Sequence, residues 1–267
     1  MLSAVHARDA AATSRSRRFE AFIASNPATI RAAQALRYRV FAGEMGATLH
    51  TPYPGLDWDE VDEHCDHLVV VDNVCGALVG TTRLLSDRQA LKLGRFYSES
   101  EFHLERVLGL GGRFLEIGRT CVDRRVRGSA VLSSLWSELA GYALQGGYDY
   151  LMGCASIPAG PSGFAVDAVY SQIEAEQMGP ANLVVRPKHA IPEELKCESD
   201  DCGMPPLLKA YLRLGAWVCG EPCWDEDFNV MDVFILLPIE RLQARYERHF
   251  MNTRLHGSDH AQLAEAA

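Results

Sequence analysis

Glu116 and Arg119 are two charged residues inside a largely apolar stretch that begins with Arg113 and covers residues 113–122. A charged side chain in apolar surroundings is usually paired or functional, and a carboxylate in such a place can accept a proton during catalysis. In a regular strand the two side chains would point to opposite faces, because they are three positions apart. A β-bulge at Gly118 would bring both onto one face and form a site. The alternative is that each residue forms its own surface ion pair.

The segment that follows this stretch carries Arg125, Gly128, Ser129 and Ala130 just before a helical pattern. Small residues let backbone N–H groups approach a ligand, and the N-terminus of a helix favours an anion. The spacing Arg125-x-x-Gly128-x-Ala130 fits the pyrophosphate-binding loop of the GNAT acyltransferases. Short glycine motifs also recur by chance, so a basic surface turn capped by Ser129 is the alternative. The position between a strand and an amphipathic helix favours the binding loop.

Hydrophobic periodicity predicts the elements that must position these residues. Strands are predicted at 18–24, 67–72, 77–85, 113–122, 148–155, 216–220 and 230–237, and helices at 27–45, 131–144 and 207–214. A long loop is predicted at 47–66. Without an internal repeat or a linker, these elements predict one α/β domain over residues 19–250, with flexible tails at 1–18 and 251–267.

Composition excludes several classes of function. The chain has 267 residues, 48% of them hydrophobic and 23% charged, as is ordinary for a globular protein. Its net charge of −9 argues against binding nucleic acid over a wide face. No apolar run approaches the roughly 18 residues of a membrane span, and the polar start is unlike a secretory signal. We therefore expect a cytoplasmic protein.

No metal site is expected from the sequence. The eight cysteines should be reduced in the absence of an export signal. The last four, Cys197, Cys202, Cys219 and Cys223, are spaced unlike the usual zinc knuckles. An acidic run at 57–62 lacks the glycine and the terminal glutamate of a calcium loop.

Several segments together resemble a known family. The order of Arg37-Tyr38-Arg39-Val40-Phe41, Gly80-Thr81-Thr82-Arg83-Leu84-Leu85 and Glu116-Ile117-Gly118-Arg119 is similar to that in the acyl-homoserine-lactone synthases. Further blocks resemble the ornithine N-alpha-acyltransferases of bacterial ornithine-lipid synthesis more closely: Cys65-Asp66-His67-Leu68, Tyr148-Asp149-Tyr150-Leu151, Pro205-Pro206-Leu207-Leu208-Lys209 and Cys219-Gly220-Glu221-Pro222. The resemblance covers about residues 20–250 and is less clear over 160–198.

The resemblance implies a GNAT-like fold with a mixed central sheet flanked by helices. It also implies transfer of a fatty acyl group, 3-hydroxylated, from acyl carrier protein to the α-amine of L-ornithine, which gives lyso-ornithine lipid. No bound cofactor is implied, since the acyl-phosphopantetheine of the carrier protein is a substrate. Acyl carrier proteins are acidic, and Arg124, Arg125 and Arg127 would offer them a basic patch.

Roles on the donor side follow from the resemblance. Glu116 matches the position of a catalytic glutamate in the synthases and would accept the amine proton. Backbone N–H groups near Cys121 and Val122 would polarise the thioester oxygen. The loop from Arg125 to Ala130, with Gly128 and Ser129, would hold the phosphopantetheine.

Roles on the acceptor side are also implied. Arg37 and Phe41 match an arginine–phenylalanine pair of the synthases, and they share a helix face because they are four apart. Arg83 or Arg119 would bind the ornithine carboxylate. The acidic run over 57–66, in which the resemblance favours Asp62 and Asp66, would hold the cationic side chain. A solvated loop is the alternative for that run.

Other functions stay open at this point. A GNAT-type enzyme could use acyl-CoA, or another amine such as glycine or lysine, or act as an acyl-homoserine-lactone-type synthase. A binding module without catalysis is a third class, and it would not need Glu116. A basic C-terminal cluster could touch the inner membrane surface, or pack on the core with its charges in water; it comprises Arg241, Arg245, Arg248, His249 and Arg254.

Overall fold

A twisted run of strands forms the centre of the protein in the computed structural model, which describes residues 18–198 and 203–242. The strands are β1 (Phe19–Ile23), β2 (Asp66–Asp72), β3 (Ala77–Ser86), β4 (Phe102–His103), β5 (Phe114–Val122), β6 (Tyr150–Pro158), β7 (Arg186–Pro187), β8 (Trp217–Val218), β9 (Cys223–Asp225) and β10 (Val230–Pro238). The α-helices are α1 (Pro27–Phe41), α2 (Asp87–Leu93), α3 (Glu105–Leu108), α4 (Ser129–Gly146), α5 (Val166–Tyr170) and α6 (Pro206–Leu214).

The main sheet has the order β1-β2-β3-β5-β6-β10-β8, and β9 adds to β10. Neighbours are antiparallel except β5 and β6, which are parallel. Among the described residues, β4 and β7 form a separate small pair. The expected mixed central sheet flanked by helices is therefore confirmed.

Helices α1 and α4 cover opposite faces of this sheet. Leu36 and Val40 of α1 pack with Cys121 of β5, whereas Leu135 and Leu139 of α4 belong to the larger core cluster on the other face. Helix α1 begins where the Asn26 side chain accepts the N–H of Thr29 at 2.9 Å, as expected of an N-cap residue. It ends at Phe41, four residues before the predicted end, and α4 begins two residues before its predicted start.

A β-bulge interrupts β5 where the sequence predicted one. Cys121 pairs with Thr81 and Gly118 pairs with Arg83, so Arg119 and Thr120 lie opposite Thr82 alone. The positive φ of the bulge falls on Arg119, at 51°, and not on the glycine. The extra residue shifts the alternation of side chains by one.

Strands β5 and β6 separate soon after they meet. They pair only over three positions, from Phe114 with Tyr150 to Glu116 with Met152. At the next position a Cβ on Gly153 would overlap the carbonyl oxygen of Ile117, so glycine is required there. Beyond this contact the two strands leave a wedge-shaped opening in the sheet.

Some segments differ from the prediction. The loop at 47–66 contains a short 3-10 helix, Glu60–His64, which the Asp59 side chain caps. The segment from α2 to α3 was not predicted, because its helices are too short to show a clear period. The proposed tails lie wholly or almost wholly outside the described residues. Within the described ranges, no helix is both long enough and apolar enough to cross a membrane.

Candidate active site

A cavity of about 740 Å³ occupies the opening between β5 and β6. Residues 117–122 of β5 form one wall, and Cys154, Ser156 and Pro158 of β6 form the other. Phe41 of α1 and Tyr211 of α6 also line it. Most of the lining is apolar, which suits an aliphatic chain, and the polar groups converge at a few points.

Glu116 lies at the inner end of this cavity and is buried. Its carboxylate accepts the backbone N–H groups of Tyr97 at 2.6 Å and Ser98 at 2.7 Å, and also the Ser98 hydroxyl. Burial raises the pKa of Glu116 despite these bonds. The bonds fix the 3-10 turn Tyr97–Ser100 against the strand and leave acceptor capacity on Oε2.

Arg119 lines the same cavity as Glu116, as the bulge predicts. Its guanidinium carbon lies 5.0 Å from the ring centre of Tyr97 and 4.7 Å from that of Phe228. Its Nη1 donates to the Tyr97 hydroxyl at 3.2 Å, whereas its buried Nε donates no hydrogen bond. That Nε lies 3.4 Å from Oδ2 of Asp57 instead. The guanidinium lines the cavity, and guanidinium groups are well suited to bind a substrate carboxylate.

Arg37 lies beside the cavity rather than in it and is completely buried. It forms ion pairs with Asp57 at 2.9 Å and with Asp62 at 2.7 Å. Arg83 lines the cavity and pairs with Asp59 at 2.6 Å. Asp57, Asp59 and Asp62 of the predicted acidic run are therefore already paired with arginines and do not offer a free site for a cationic substrate.

Asp66 does not line the cavity. It accepts a hydrogen bond from the Tyr142 hydroxyl at 2.6 Å, on the side of α4. His67 is buried next to it, and its Nε2 lies 3.4 Å from the carbonyl oxygen of Asp62. Burial lowers the pKa of His67, so the neutral ring is favoured.

Strand β5 presents a free backbone edge to the cavity at Val122. The N–H of Asp123 donates to Val79 of β3 at 2.8 Å, and N–H groups alternate in direction along a strand. The N–H of Val122 therefore points away from β3, towards the opening. Gly128, the N-cap of α4, lines the cavity next to it and has no side-chain cap.

Arg125 is turned away from the cavity. It binds back to Asp123, with Nη2 at 2.7 Å from Oδ2, and its side chain is 71% exposed. This hydrogen bond lowers the pKa of Asp123 to about 2. Arg127, rather than Arg125, lines the cavity, and its Nε donates to the carbonyl oxygen of Val122 at 3.1 Å. Ser129 and Ala130 open α4, and Ala130 is exposed.

Three acidic residues with no predicted role also line the cavity: Glu101, Asp225 and Asp232. Asp232 lies within β10, where its neighbours are apolar. The rule that drew attention to Glu116, a charge inside an apolar strand, therefore applies to Asp232 as well. Within the described residues, these three form the acidic group whose oxygens lie close enough to hold a metal ion, all within 4.8 Å of one another.

Comparison with known proteins identifies the family. Residues 36–137 match an acetyltransferase (GNAT) domain. The L-ornithine N(alpha)-acyltransferase of Brucella abortus is 36% identical over 251 residues, which cover 86% of this chain and 88% of that protein. The chain belongs to the L-ornithine N(alpha)-acyltransferase family. The member from Rhizobium meliloti is also 36% identical, over 86% of this chain and 83% of its own length.

Solved structures agree on the fold of this family member. An N-acyl amino acid synthase from uncultured soil microbes superposes with a TM-score of 0.51 at 14% identity, covering 85% of this chain and 94% of its own. A CoA-dependent acyl-homoserine lactone synthase superposes with a TM-score of 0.52 at 16% identity, over 86% and 88%. The expected GNAT-like acyltransferase fold is confirmed.

Proposed function

We propose that the protein transfers a fatty acyl group, 3-hydroxylated, from acyl carrier protein to the α-amine of L-ornithine and so forms lyso-ornithine lipid. Membership of the L-ornithine N(alpha)-acyltransferase family supports the acceptor. The observation that carries the proposal is the largely apolar cavity between β5 and β6, which brings Glu116 and Arg119 to one end.

The donor thioester lies in the opening between the two strands. Its carbonyl oxygen accepts the N–H of Val122, which is preorganised for the charge that develops in the transition state. The phosphopantetheine arm runs out past Gly128 and the N-terminus of α4, and the acyl chain occupies the apolar part near Phe41 and Tyr211. This arm belongs to the substrate, so no resident cofactor is required.

Glu116 acts as the general base. The α-amine nitrogen attacks the thioester carbon, a C–N bond forms, the C–S bond breaks, and the sulfur leaves as the thiol of the carrier. Glu116 takes the amine proton, directly or through one water, and returns a proton to the departing sulfur. Its pKa, raised by burial, brings it nearer to the range where proton transfer is efficient.

Arg119 binds the α-carboxylate of ornithine through the guanidinium that lines the cavity. The arginines that surround it have positioning roles. Arg83 holds Asp59, and Arg37 holds Asp57 and Asp62, so that the loop behind Arg119 keeps its shape. Phe41 packs edge-on against Phe228, with ring centres 5.5 Å apart, and Phe228 supports the guanidinium of Arg119.

Product analysis by mass spectrometry tests this function. Purified protein receives 3-hydroxyacyl carrier protein or the matching acyl-CoA, with ornithine, lysine and glycine at equal concentrations. We expect N-acyl ornithine to dominate with the carrier protein. Glu116→Gln should lower kcat by about 10²–10⁴-fold, whereas Glu105→Gln, which changes an exposed carboxylate, should not. Absence of any acyl amine would contradict the proposal.

The use of acyl carrier protein rests on exposed arginines near Gly128. Arg124 is exposed, and Arg127 has a half-exposed side chain that pairs with Glu44. Such charges act mainly on the association rate with an acidic partner. Arg124→Glu should lower kcat/KM several-fold at low salt with the carrier protein and leave it unchanged with acyl-CoA. An equal loss with both donors would argue against carrier recognition.

Contact with the inner membrane surface is the last part of the proposal, because the product is an amphiphile. Arg241 lies 4.5 Å above the Trp217 ring. The rest of the basic cluster lies outside the described residues: Arg245, Arg248, His249 and Arg254. Co-sedimentation with anionic vesicles should fall as salt rises. Absence of binding at low salt would contradict this part.

A further inference from the structure

A second acidic group faces the cavity from three separate segments of the chain. Glu101 follows the turn that Glu116 holds, Asp225 ends β9, and Asp232 lies on β10. One carboxylate oxygen from each lies within 4.8 Å of the others. Three like charges so close together repel one another, so a fold keeps them only where something compensates them.

Two oxygens of this group have no hydrogen-bond partner. They are Oε2 of Glu101 and Oδ1 of Asp232, and both are buried atoms. The two residues are only 8% and 3% exposed. Buried polar atoms are nearly always hydrogen-bonded. Two free acceptors in one cavity wall therefore indicate a binding site for a ligand that donates hydrogen bonds.

The charges of the described residues do not neutralise the group. The charge of Arg119 lowers the pKa of all three carboxylates, but its guanidinium forms ion pairs with Asp57 and Asp59 at 3.4 and 3.6 Å. Burial raises the pKa of Asp232 to about 7, and that of Glu101 well above its usual value, with the charge of Asp232 adding to the effect. This end of the cavity favours a cation.

A short bridge connects this group to Glu116. The Ser98 hydroxyl bonds to Glu116 and lies 3.3 Å from the sulfur of Cys154, and the Cys154 thiol is close enough to Glu101 to influence its pKa. The proposed base and the acidic group are therefore separated by two small side chains. An amino acid whose α-amine meets Glu116 can extend a short side chain to the acidic group.

We propose that Glu101, Asp225 and Asp232 bind the side-chain ammonium of the acceptor and so select a diamino acid over a neutral amino acid of the same length. The inference rests on the proposed function and names the part of the site that determines acceptor specificity. An ammonium group has three N–H donors, one for each carboxylate. A divalent cation is the competing occupant, and it would need additional oxygen ligands to complete its coordination shell.

Ornithine and norvaline test the proposal, since norvaline has the same carbon skeleton without the terminal amine. With one acyl donor held constant, we expect the wild-type protein to prefer ornithine in kcat/KM by on the order of 100-fold. Asp232→Asn and Glu101→Gln should reduce this ratio at least about tenfold, by lowering ornithine turnover while norvaline turnover stays unchanged. Glu226→Gln, an exposed carboxylate on the same hairpin, should preserve the ratio.

Three results would overturn the inference. The first is equal turnover of the two amino acids by the wild-type protein. The second is an equal loss with both in the Asp232 and Glu101 variants, with circular dichroism showing an intact fold, because that indicates a role in the chemistry. The third is activity that a chelator removes and added Mg²⁺ or Ca²⁺ restores, together with calorimetric binding of that ion lost in Asp232→Asn.

Failure of the proposed function can be recognised separately. If the wild-type protein acylates neither amino acid, calorimetry with ornithine and norvaline still probes the cavity directly. Ornithine binding that exceeds norvaline binding and is weakened about tenfold by Asp232→Asn supports the acidic group as an ammonium site. Equal binding of the two amino acids, or no binding of either, overturns it.

Discussion

Two groups of three carboxylates lie near Arg119 and differ in the presence of guanidinium partners. The paired group consists of Asp57, Asp59 and Asp62, and the unpaired group consists of Glu101, Asp225 and Asp232. Arg37, Arg83 and Arg119 form ion pairs with the first group at distances from 2.6 to 3.6 Å. The described residues give the second group no ion pair.

The pKa values of Asp59 and Asp62 in the paired group are shifted in the direction opposite to those of the unpaired group. Burial alone would raise the pKa of Asp59 and Asp62, but Arg83 and Arg37 lower both below their usual values. Burial raises the pKa of Asp225 and Asp232, and no adjacent cation reverses it. Similar burial therefore gives a structural ionic network in the paired group and an anionic site that can bind a cation in the unpaired group.

The largest effect on stability is expected when the paired group loses a partner. Arg37→Ala leaves Asp57 and Asp62 buried without their cation and should lower the free energy of unfolding by about 3–5 kcal/mol. Arg39→Ala, on the exposed side of the same helix, should change it by less than about 0.5 kcal/mol. Urea unfolding measures both variants. A loss below about 1 kcal/mol for Arg37→Ala would mean that the network contributes little.

Removing a charge from the unpaired group should have the opposite effect. Asp232→Asn eliminates a buried, uncompensated carboxylate and should raise the free energy of unfolding at neutral pH by about 1–3 kcal/mol. The same variant should lose its preference for ornithine, so stability and function change in opposite directions. Thermal and urea unfolding without substrate measure the gain. A clear loss of stability would remove the contrast between the groups.

The pH dependence of stability should separate the groups without mutation. Asp232 has a raised pKa, so between about pH 4 and pH 7 the folded state binds more protons than the unfolded state, and stability falls as pH rises, by at most about 1.4 kcal/mol per pH unit for this group. Asp59 and Asp62 have lowered pKa values, so their contribution is lost as pH falls below about 4.

Urea unfolding of the wild type and Asp232→Asn across this range checks the prediction. The decline between about pH 5 and pH 7 should be smaller in the variant, and saturating ornithine should offset it in the wild type. Parallel curves for the two proteins would show that Asp232 does not titrate there.

The smallest effect is expected at Asp225. Its Oδ1 accepts the N–H of Phe228 at 3.0 Å, and it is more exposed than Asp232. Asp225→Asn keeps an oxygen that can accept this N–H and removes one of the three negative charges of the unpaired group. KM for ornithine should therefore rise about three- to tenfold with kcat unchanged. Steady-state kinetics with ornithine measures this. An effect larger than that of Asp232→Asn would reverse the ranking within the unpaired group.

Features that depend on residues close together in the sequence could be predicted from it. The charges of Glu116 and Arg119 within an apolar strand, together with Gly118, predicted the bulge that brings both to the cavity. The motif spacing directed attention to Arg125, but Asp123 lies two residues before it and binds its side chain. Arg127, which the motif leaves unspecified, lies beside the cavity.

Long-range convergence was not predictable in the same way. No residue next to Asp57 or Asp62 in the sequence indicates that Arg37, which lies 20 and 25 positions earlier, forms ion pairs with them. Glu101 belongs to a turn without periodicity, and Asp225 meets it only because β9 joins the sheet through β10. Asp232 carried a usable signal, since it is the acid of a nine-residue strand whose other members are apolar.

The hairpin of β9 and β10 places part of the proposed acceptor site apart from the donor side along the chain. Val122 and Gly128, beside the donor, lie inside the segment that matches the general acetyltransferase domain, residues 36–137. Asp225 and Asp232 lie about ninety residues beyond it, on the hairpin of β9 and β10, whereas Glu101 lies within it. Under the two proposals, substitutions in that hairpin change which amine is acylated while the groups beside the thioester stay intact. Acceptor preference and donor handling can therefore change separately.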